Sequence, residues 1–392
     1  MLWSLIHIVD ILLWLFMAAS VFYVAFFAAC SLKPGRKGKA KDESGLLPEA
    51  HFLVLYPAYK EDAVILHSVE SFLLQDHPRE KYQLVVISDH MQKETNDQLS
   101  SLPITLLQPS FENSSKAKAL QYAIEQTKGL SDFTHVVILD ADNVVGSDFL
   151  TQLHRVCRQG YQAIQCHRTA KNADNDIAAL DGISEEINNT LFRRAHNNIG
   201  LSSALIGSGM CFDYKWFSRN VQHLCSAVED RELESLLAKQ NIFVKYEEHI
   251  YVMDEKVSSG DNFQRQRMRW MTGQVQSLLQ MLPYIPKAIL SGNINYIDKT
   301  FQQALIPRSI LLVLLPVLST IITIISFSWS AKWWCLLILF CISLFIAIPR
   351  QLRTRSIVGR ITAFSTLAWN MIENLVHIDK NNHDFLHTSH NK

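Results

Sequence analysis

Hydrophobic residues in this chain are concentrated near its two ends, and a more polar region with short apolar runs lies between them. Residues 11–32 contain no charged side chain and are long enough to cross a bilayer. Residues 304–329 carry a single charge, Arg308, and residues 333–348 form a third, uncharged run. The pattern therefore predicts three membrane-spanning helices that flank a polar domain.

Basic residues beside these apolar runs predict their orientation. No Lys or Arg precedes the first run, whereas residues 33–41 contain five. A secretory signal has the opposite polarity, so the first run is predicted to be a retained anchor, with the polar domain starting in the cytoplasm. Three arginines between 350 and 355 place the end of the third run on the same side. Residues 361–376 are interrupted by an Asn and a Glu, and we expect them to lie on the membrane surface.

The central region alternates between strand-like and helix-like patterns. Strand-like runs at 51–56, 83–88, 104–107 and 135–139 are separated by amphipathic stretches, which predicts an α/β fold with a Rossmann-like, mostly parallel sheet. Pro57 is expected to end the first strand because it has no N–H to donate. Further helices are predicted at 149–158, 177–197, 231–239 and 266–282, further strands at 163–166 and 242–253, and a flexible segment around Gly207-Ser208-Gly209.

These patterns divide the chain into six parts, and composition adds two exclusions. The predicted parts are an anchor (1–32), a basic linker (33–49), the α/β domain (50–260), interfacial amphipathic helices (261–303), two membrane helices (304–349), and a surface helix with a tail (350–392). Lys+Arg 37 equals Asp+Glu 37, so no nucleic-acid partner is indicated. The seven cysteines show no C-x-x-C pair, so we expect reduced thiols.

Two carboxylates, Asp140 and Asp142, follow the buried run at 135–139. On an extended backbone, positions i and i+2 point to the same side, and ligands bind at the carboxyl ends of strands in open α/β sheets. Two close carboxylates repel each other unless a cation such as Mg²⁺ or Mn²⁺, shared with a diphosphate, lies between them. The alternative is that either residue caps a turn before Gly146.

Other polar residues fall at comparable places, each with a simpler alternative. Asp89 ends the second strand but could cap the following helix, and Asp230 could be a helix N-cap. Lys116 could be an exposed helix lysine. Arg269 could belong to a basic face on the membrane surface, and Trp270 could be an interfacial anchor.

Taken together and in this order, these residues resemble the family-two glycosyltransferases, which include cellulose, chitin, hyaluronan and poly-N-acetylglucosamine synthases. The resemblance spans residues 51–274. It departs from the family at Lys60, where Asn is common, and at His90-Met91, and the similarity of the tail at 385–390 is weak. The elements that match are Pro57-Ala-Tyr59-x-Glu61, Asp89, Lys116, Asp140-Ala-Asp142, Gly207-Ser208-Gly209-Met210, Glu229-Asp230 and Gln266-x-x-Arg269-Trp270.

The resemblance implies a GT-A catalytic domain that inverts configuration, with Mg²⁺ or Mn²⁺ as cofactor and a UDP-sugar as donor. Asp142 with Asp140 would hold the metal, and Asp230, beside Glu229, would be the general base. Residues implied near the donor are Pro57, Tyr59, Glu61, Asp89, Lys116, Asp140 and Asp142. Residues implied near the diphosphate and acceptor are Gly207, Ser208, Gly209, Gln266, Arg269 and Trp270.

Within the family, the Glu229-Asp230 pair and the Gln266-x-x-Arg269-Trp270 motif favour a chain-extending synthase at the cytoplasmic face of the cell (inner) membrane. Such an enzyme extends a glycan or lipid-linked acceptor and could have an export or polymer-assembly partner. The alternative is a non-processive transferase that adds one sugar to a lipid of the ceramide or polyprenyl phosphate type. Three predicted spans make a polymer channel difficult to build, which keeps this alternative open. A non-catalytic protein that binds nucleotide sugars is a third reading, and the intact carboxylate set argues against it.

Overall fold

A computed structural model describes residues 2–34, 47–172, 176–226, 228–256 and 260–353, with residues 2 and 260–265 described by their backbone alone. The predicted surface helix at 361–376, the tail, and most of the basic linker lie outside these residues. Fourteen α-helices are formed within the described part. Their bounds are α1 Leu2–Ser31, α2 Ile65–Phe72, α3 Lys93–Ser100, α4 Lys116–Thr127, α5 Phe149–Cys157, α6 Asp176–Asn188, α7 Ala195–Ile199, α8 Tyr214–Asn220, α9 Glu229–Lys239, α10 Gly260–Met281, α11 Ile285–Leu290, α12 Ile294–Ala304, α13 Arg308–Ile325 and α14 Phe327–Ala347.

The described residues form a sheet of eight strands in the order β3-β2-β1-β4-β7-β6-β8-β5. Strands β1 to β4 are mutually parallel where they pair, as the β-α-β pattern predicts. The strand bounds are β1 Phe52–Tyr59, β2 Tyr82–Asp89, β3 Thr105–Leu107, β4 His135–Ile138, β5 Val144–Val145, β6 Ala163–Ala170, β7 Met210–Asp213 and β8 Val244–Asp254.

The predicted α/β sheet is confirmed, and its second half is mixed, with β6 and β8 parallel to each other beside three antiparallel pairs. Strand β7 runs antiparallel to both β4 and β6, and β5 runs antiparallel to β8. Residues 203–212 were expected to be flexible, yet Met210, Cys211 and Phe212 are buried and join the two halves of the sheet. Their apolar side chains make a central strand more favourable than a solvated loop.

Pro57 does not end β1, which continues to Tyr59 beside β2. The backbone of Leu55 faces β4, because its carbonyl accepts from the Leu139 N–H. Side-to-side alternation makes Pro57 face β4 as well. The β4 ladder has already ended at Leu55, so the N–H that proline lacks is not needed there.

The alternation of β1 fills a core on each face of the sheet. Val54 and Tyr56 pack with the apolar sides of α2 and α5, whereas Leu53 and Leu55 pack with those of α4, α8 and α9. All four side chains are fully buried. Both faces of the parallel half are therefore covered by helices, and the strand ends are left available for a site.

Helices α1, α13 and α14 are each long and apolar enough to cross a membrane. They pack together, and Asp10 of α1 pairs with Lys332 and accepts a hydrogen bond from the Trp333 indole at 2.7 Å. Helix α6, a π-helical turn at Asn189–Arg194, and α7 form one long element, as predicted for 177–197. Leu191 of this element packs among these three apolar helices, so the α/β domain rests directly on them.

Candidate active site

A cavity of about 940 Å³ lies at the carboxyl ends of β1, β2 and β4 and extends to α13 and α14. Most of the residues predicted from the sequence line it. Ser208 and Gly209 do not line it, because they pack behind its wall. The predicted residues that line the cavity are Pro57, Tyr59, Glu61, Asp89, Lys116, Asp140, Asp142, Gly207, Glu229, Asp230, Gln266, Arg269 and Trp270.

Asp140 and Asp142 lie on a tight turn after β4, not on an extended strand as predicted. The Asn143 N–H donates to the Asp140 carbonyl at 3.0 Å and closes the turn. The Asn143 side-chain oxygen in return accepts from the Asp140 N–H at 2.9 Å. Asn143 is fully buried and also bonds to Ser208, which fixes the turn to the segment before β7. Both carboxylates still reach the cavity.

Asp142 is buried, and its two oxygens accept from the Asn143 side chain at 3.1 Å and from the Glu255 N–H at 2.9 Å. Burial, followed by the nearby carboxylates of Asp254 and Asp140, raises its pKa well above the usual range. A bound cation would offset the free-energy cost of ionising the buried Asp142 carboxylate.

The donor set around the turn suits a divalent cation that is also bound by substrate. Among the described residues, no group of three or more His, Cys, Asp or Glu side chains could hold a metal by itself. Mg²⁺ is usually bound by one or two carboxylates plus phosphate oxygens and water, all of them hard oxygen ligands. Asp142 and Asp140 fit that arrangement, with a diphosphate completing the site.

Lys116 begins α4, where the Ser115 hydroxyl accepts from the Lys118 N–H as an N-cap. The Lys116 ammonium pairs with Asp140, donates to the Gly207 carbonyl at 2.7 Å, and lies 3.4 Å from Glu229. Burial opposes its charge, but the carboxylates of Asp140 and Glu229 outweigh this and raise the Lys116 pKa. It is not an exposed helix lysine.

Glu229 and Asp230 are in different environments although they are adjacent. Glu229 is buried against Lys116, and burial together with Asp230 and Asp140 raises its pKa to about 7. Asp230 uses one oxygen to accept from the Arg231 N–H at 2.9 Å. Its other oxygen lies 3.8 Å from where a side chain on Gly207 would begin. Gly207, at φ +81°, lies beside the Asp230 carboxylate, and both residues line the cavity.

Asp89 ends β2 beside Tyr59, and it is buried. Its carboxylate lies 2.6 Å from His90 Nδ1, and the His90 ring packs edge-on against Tyr59 at 5.7 Å between centroids. Lys60 has a left-handed backbone, with φ 55°. Asn tolerates this conformation better than Lys, which gives a physical reason for the family preference at this position.

Helix α10 contributes Gln266, Arg267, Arg269 and Trp270 to the cavity wall. The Arg267 guanidinium pairs with Asp181 and stacks on the Trp270 ring at 4.8 Å. The Gln266 side-chain oxygen is buried and accepts no hydrogen bond from the described residues. This helix therefore contributes the Trp270 ring to the cavity wall, and the buried Gln266 oxygen has no donor among the described residues.

A buried ion network behind the turn was missed by the sequence analysis. Arg168 lies 3.0 Å from Glu185 and 3.7 Å from Asp254, and Lys256 lies 2.7 Å from Asp254. Although burial opposes ionisation, Arg168 and Lys256 keep the pKa of Asp254 below its usual value. The position of Arg168 near the end of a strand was the available signal, but the strand was predicted to end at Cys166.

Comparison with known proteins gives one family and several structural relatives. The sequence profile described as glycosyltransferase-like family 2 matches residues 48–273. No curated protein matches the chain. A Pyrobaculum calidifontis mannosyltransferase solved with GDP-Man and Mn²⁺ is 15% identical, with a TM-score of 0.53, covering 85% of this chain and 94% of its own. S. aureus TarS is 15% identical, with a TM-score of 0.41, covering 59% of this chain and 40% of its own.

Glucosyl-3-phosphoglycerate synthase from Mycobacterium tuberculosis, solved with Mn²⁺, UDP and phosphoglyceric acid, is 14% identical, with a TM-score of 0.41, and covers 59% of this chain and 78% of its own. At these identities, only the mannosyltransferase supports an argument, and it supports the fold. The family profile matches more than half of the chain. The protein therefore belongs to glycosyltransferase-like family 2, whose members use nucleotide sugars, and it has the GT-A fold.

Proposed function

We propose that this glycosyltransferase moves one sugar from a UDP-sugar to a membrane lipid or lipid-linked acceptor, with inversion at the anomeric carbon. One observation carries the proposal. The cavity that holds the carboxylates of Asp140 and Asp142 continues without interruption to the apolar helices α13 and α14. An acceptor that is apolar at one end and polar at the other can therefore reach the site from the membrane.

The membrane end of the cavity is lined by aliphatic and aromatic side chains. Leu312 and Val313 come from α13, and Leu344 and Phe345 come from α14, with Ile348 just after it. These side chains suit an acyl or isoprenyl tail, because burying apolar surface is favourable. A hydrated glycan would leave its hydroxyls without partners along such a wall.

The donor end has the groups that nucleotide-sugar transfer requires. A divalent cation, Mg²⁺ or Mn²⁺, held by Asp142 and Asp140 would neutralise the leaving diphosphate. Arg269 is placed on the cavity wall, and a guanidinium pairs well with phosphate oxygens. Asp89 would accept hydrogen bonds from the uridine, with Pro57, Tyr59 and Glu61 around it, as the family resemblance implies.

Asp230 is proposed as the general base. It would take the proton from the acceptor hydroxyl as that oxygen attacks the anomeric carbon and the bond to the diphosphate breaks. A single displacement of this kind inverts configuration. Glu229 is already engaged with Lys116, so its proposed role is to hold that ammonium near the donor. Trp270 offers a flat face to a sugar ring, and Gln266 an acceptor for a hydroxyl.

A chain-extending synthase is the second candidate, favoured because Gln266, Arg269 and Trp270 line the cavity as the motif requires. Such an enzyme would need an export or assembly partner, since only three candidate spans occur in the described residues. The apolar membrane end favours the lipid acceptor over this alternative.

The catalytic domain is proposed to face the cytoplasm from the cell (inner) membrane. UDP-sugars are cytosolic, and Lys33 after α1 and Arg350 after α14 are both placed at the ends of apolar helices. Positive residues at these ends favour the cytoplasmic side.

The direct test is a donor and acceptor panel. Purified protein is incubated with UDP-sugars and Mn²⁺ or Mg²⁺, with or without a lipid extract, and UDP release is measured. We expect UDP release with one of the UDP-sugars. The lipid extract should stimulate this release, and a chelator should abolish it. Release that a soluble glycan stimulates and lipid does not would reject the lipid acceptor.

A further inference from the structure

Two arginines at the membrane end of the cavity differ from the cations around the donor end. Five lining cations are paired with carboxylates, as in the Lys116–Asp140 pair. Arg308 and Arg353 also line the cavity, and neither forms an ion pair with a carboxylate of the described residues; Arg231, a further lining arginine, bonds to Gln303 instead. The paired cations are Lys116, Arg168, Arg193, Lys256 and Arg267.

Arg308 is held with one edge of its guanidinium occupied. Its Nη2 donates to the Ser184 carbonyl at 3.2 Å, to the Ser184 hydroxyl at 3.4 Å, and to the Asn188 side chain at 2.7 Å. Its Nε and Nη1 donate to no described residue. These contacts fix the guanidinium against α6 through neutral groups only, so no carboxylate pairs directly with its charge at a half-buried position. An uncompensated cation in such a place is costly unless an anion binds to it.

Helix α13 begins at Arg308, so the positive end of its dipole lies at the same place. Pro307 and Ser309, on either side of Arg308, line the cavity as well. Arg353 donates to the carbonyls of Ile348 and Ile346 and stacks on the Phe345 ring at 4.7 Å. Its Nη1 is left over, so both guanidinium groups have unused donors.

We propose that Arg308 and Arg353 bind the phosphate group of a membrane lipid whose tail lies along the apolar wall of α13 and α14. Two guanidinium groups match the charge and the paired oxygens of a phosphate monoester. The aliphatic side chains of α13 and α14 that line the same cavity favour a lipid over free phosphate. The inference rests on the proposed function in one respect, because it makes the lipid acceptor a phosphate-bearing one. The attacking oxygen would then belong to the phosphate, and the proton that Asp230 takes would come from the P–OH group of its monoanion.

Binding is tested on the full chain in a polyoxyethylene detergent, which contains neither phosphate nor sugar. The probes are farnesyl phosphate, farnesol and inorganic phosphate, and the dissociation constants are measured by native mass spectrometry or by competition. We expect farnesyl phosphate to bind roughly tenfold or more tightly than farnesol, as for a charge-assisted contact. Equal binding of the two lipids would overturn the proposal, and so would inorganic phosphate that binds as tightly as farnesyl phosphate.

Variants of Arg308 and Arg353 test whether these two residues form the phosphate-binding site. R308Q is expected to remove most of the preference for farnesyl phosphate, R308K to retain part of it, and R353Q to weaken it independently. Arg350 is exposed and does not line the cavity, so R350Q is the matched control and should keep the full preference. Thermal melting of each variant establishes that it is folded. If R308Q folds and binds farnesyl phosphate as tightly as R350Q does, the assignment of the site is contradicted. If R308Q does not fold, R353Q decides the question: an unchanged preference of R353Q for farnesyl phosphate would contradict the assignment.

A transfer assay with the same lipids separates this inference from the proposed function. Transfer of sugar to farnesol but not to farnesyl phosphate would leave the lipid acceptor standing and reject its phosphate. A phosphate preference in binding, with no transfer to any lipid, would keep the binding site and reject the proposed function.

Discussion

The Lys116 ammonium lies 3.4 Å from the Glu229 carboxylate, and this contact joins the start of α4 to the start of α9. The same ammonium pairs with Asp140 on the turn after β4. One cation therefore holds together the carboxylates of Asp140 and Glu229, which come from separate parts of the chain. Because Lys116 and Glu229 are largely buried, the charge on each depends on the other.

Replacing Lys116 with Met is expected to destabilise the protein strongly. The change leaves the buried Glu229 carboxylate and the half-buried Asp140 carboxylate without their cation, and breaking a buried pair in this way costs about 3–5 kcal/mol. Adding E229Q removes one unpaired charge, so the double variant K116M/E229Q should be more stable than the sum of the single changes. Thermal melting of the wild type, K116M, E229Q and K116M/E229Q measures the coupling between Lys116 and Glu229. Strictly additive changes would show that the Lys116–Glu229 contact contributes nothing.

Asp142 is expected to couple donor binding to a divalent cation. In titration calorimetry, the wild type should bind UDP more tightly with Mn²⁺ than with a chelator, and D142A should lose this difference because the carboxylate that shares the cation is gone. Asp97 is exposed on α3, and D97N is the control that should behave as wild type. Equal UDP affinity of the wild type with and without metal would remove the metal role of Asp142.

Gly209 should be far less tolerant of substitution than Gly129. Both glycines have a left-handed backbone, with φ of +63° and +82°, so alanine at either costs about 1 kcal/mol. A side chain at Gly209 would also come within 2.9 Å of Val252, whereas one at Gly129 meets nothing within 4 Å. We expect a loss of about 2–4 kcal/mol for G209A and about 1 kcal/mol for G129A, measured by thermal or chemical unfolding. Equal losses would mean that crowding at Gly209 relaxes freely.

His196 is expected to make the junction between the domain and the membrane helices sensitive to acid. The ring is fully buried, stacks on Phe27 at 3.7 Å, and lies 3.2 Å from Asp298. Burial lowers its pKa despite this carboxylate. The neutral ring is thus favoured in the folded protein, and its contribution to stability is present above the ordinary histidine pKa of about 6.5 and is lost as pH falls below that value.

The melting temperature of the wild type should therefore fall between about pH 7.5 and about pH 5.5. This fall should be smaller in H196Q, although H196Q is less stable overall. His223 is exposed, so H223Q should follow the wild type at each pH. An identical pH dependence in H196Q and the wild type would assign the effect to other groups.

The parallel half of the fold could be predicted because its strands are short apolar runs separated by amphipathic helices. The Ser115 hydroxyl accepts from the Lys118 N–H as an N-cap, a role that serine commonly takes at the start of a helix. The antiparallel half could not be predicted, since the direction of β7 depends on long-range pairing with β4 rather than on local pattern. The continuation of β1 through Pro57 likewise depends on where the neighbouring strand ends.

Residues that approach the cavity could be selected from motifs, but their contacts could not. Asn143 follows Asp142 directly, yet its role in closing the turn depends on Ser208 far along the chain. Arg168, Glu185 and Lys256 come from separate elements, and no local pattern links them. Their pairing results from the packing of α6 against β6 and the membrane helices.

Asp230 is the proposed base, and D230N is expected to keep UDP binding while its turnover falls by about 10²–10⁴-fold. The change preserves the shape of the side chain and removes its ability to take a proton. Near-native turnover in D230N would show that Asp230 is not the base, and its hydrogen bond with the Arg231 N–H would be its only remaining role. E229Q should instead alter the Lys116 contact and affect donor binding.

The most direct test of the account is the product of the reaction itself. Membranes containing the wild type are supplied with a UDP-sugar labelled in the sugar, and the organic extract and the aqueous phase are analysed by chromatography. The account predicts one labelled lipid carrying a single added sugar, absent with D230N. Label found only in a long water-soluble glycan, with none on lipid, would contradict it.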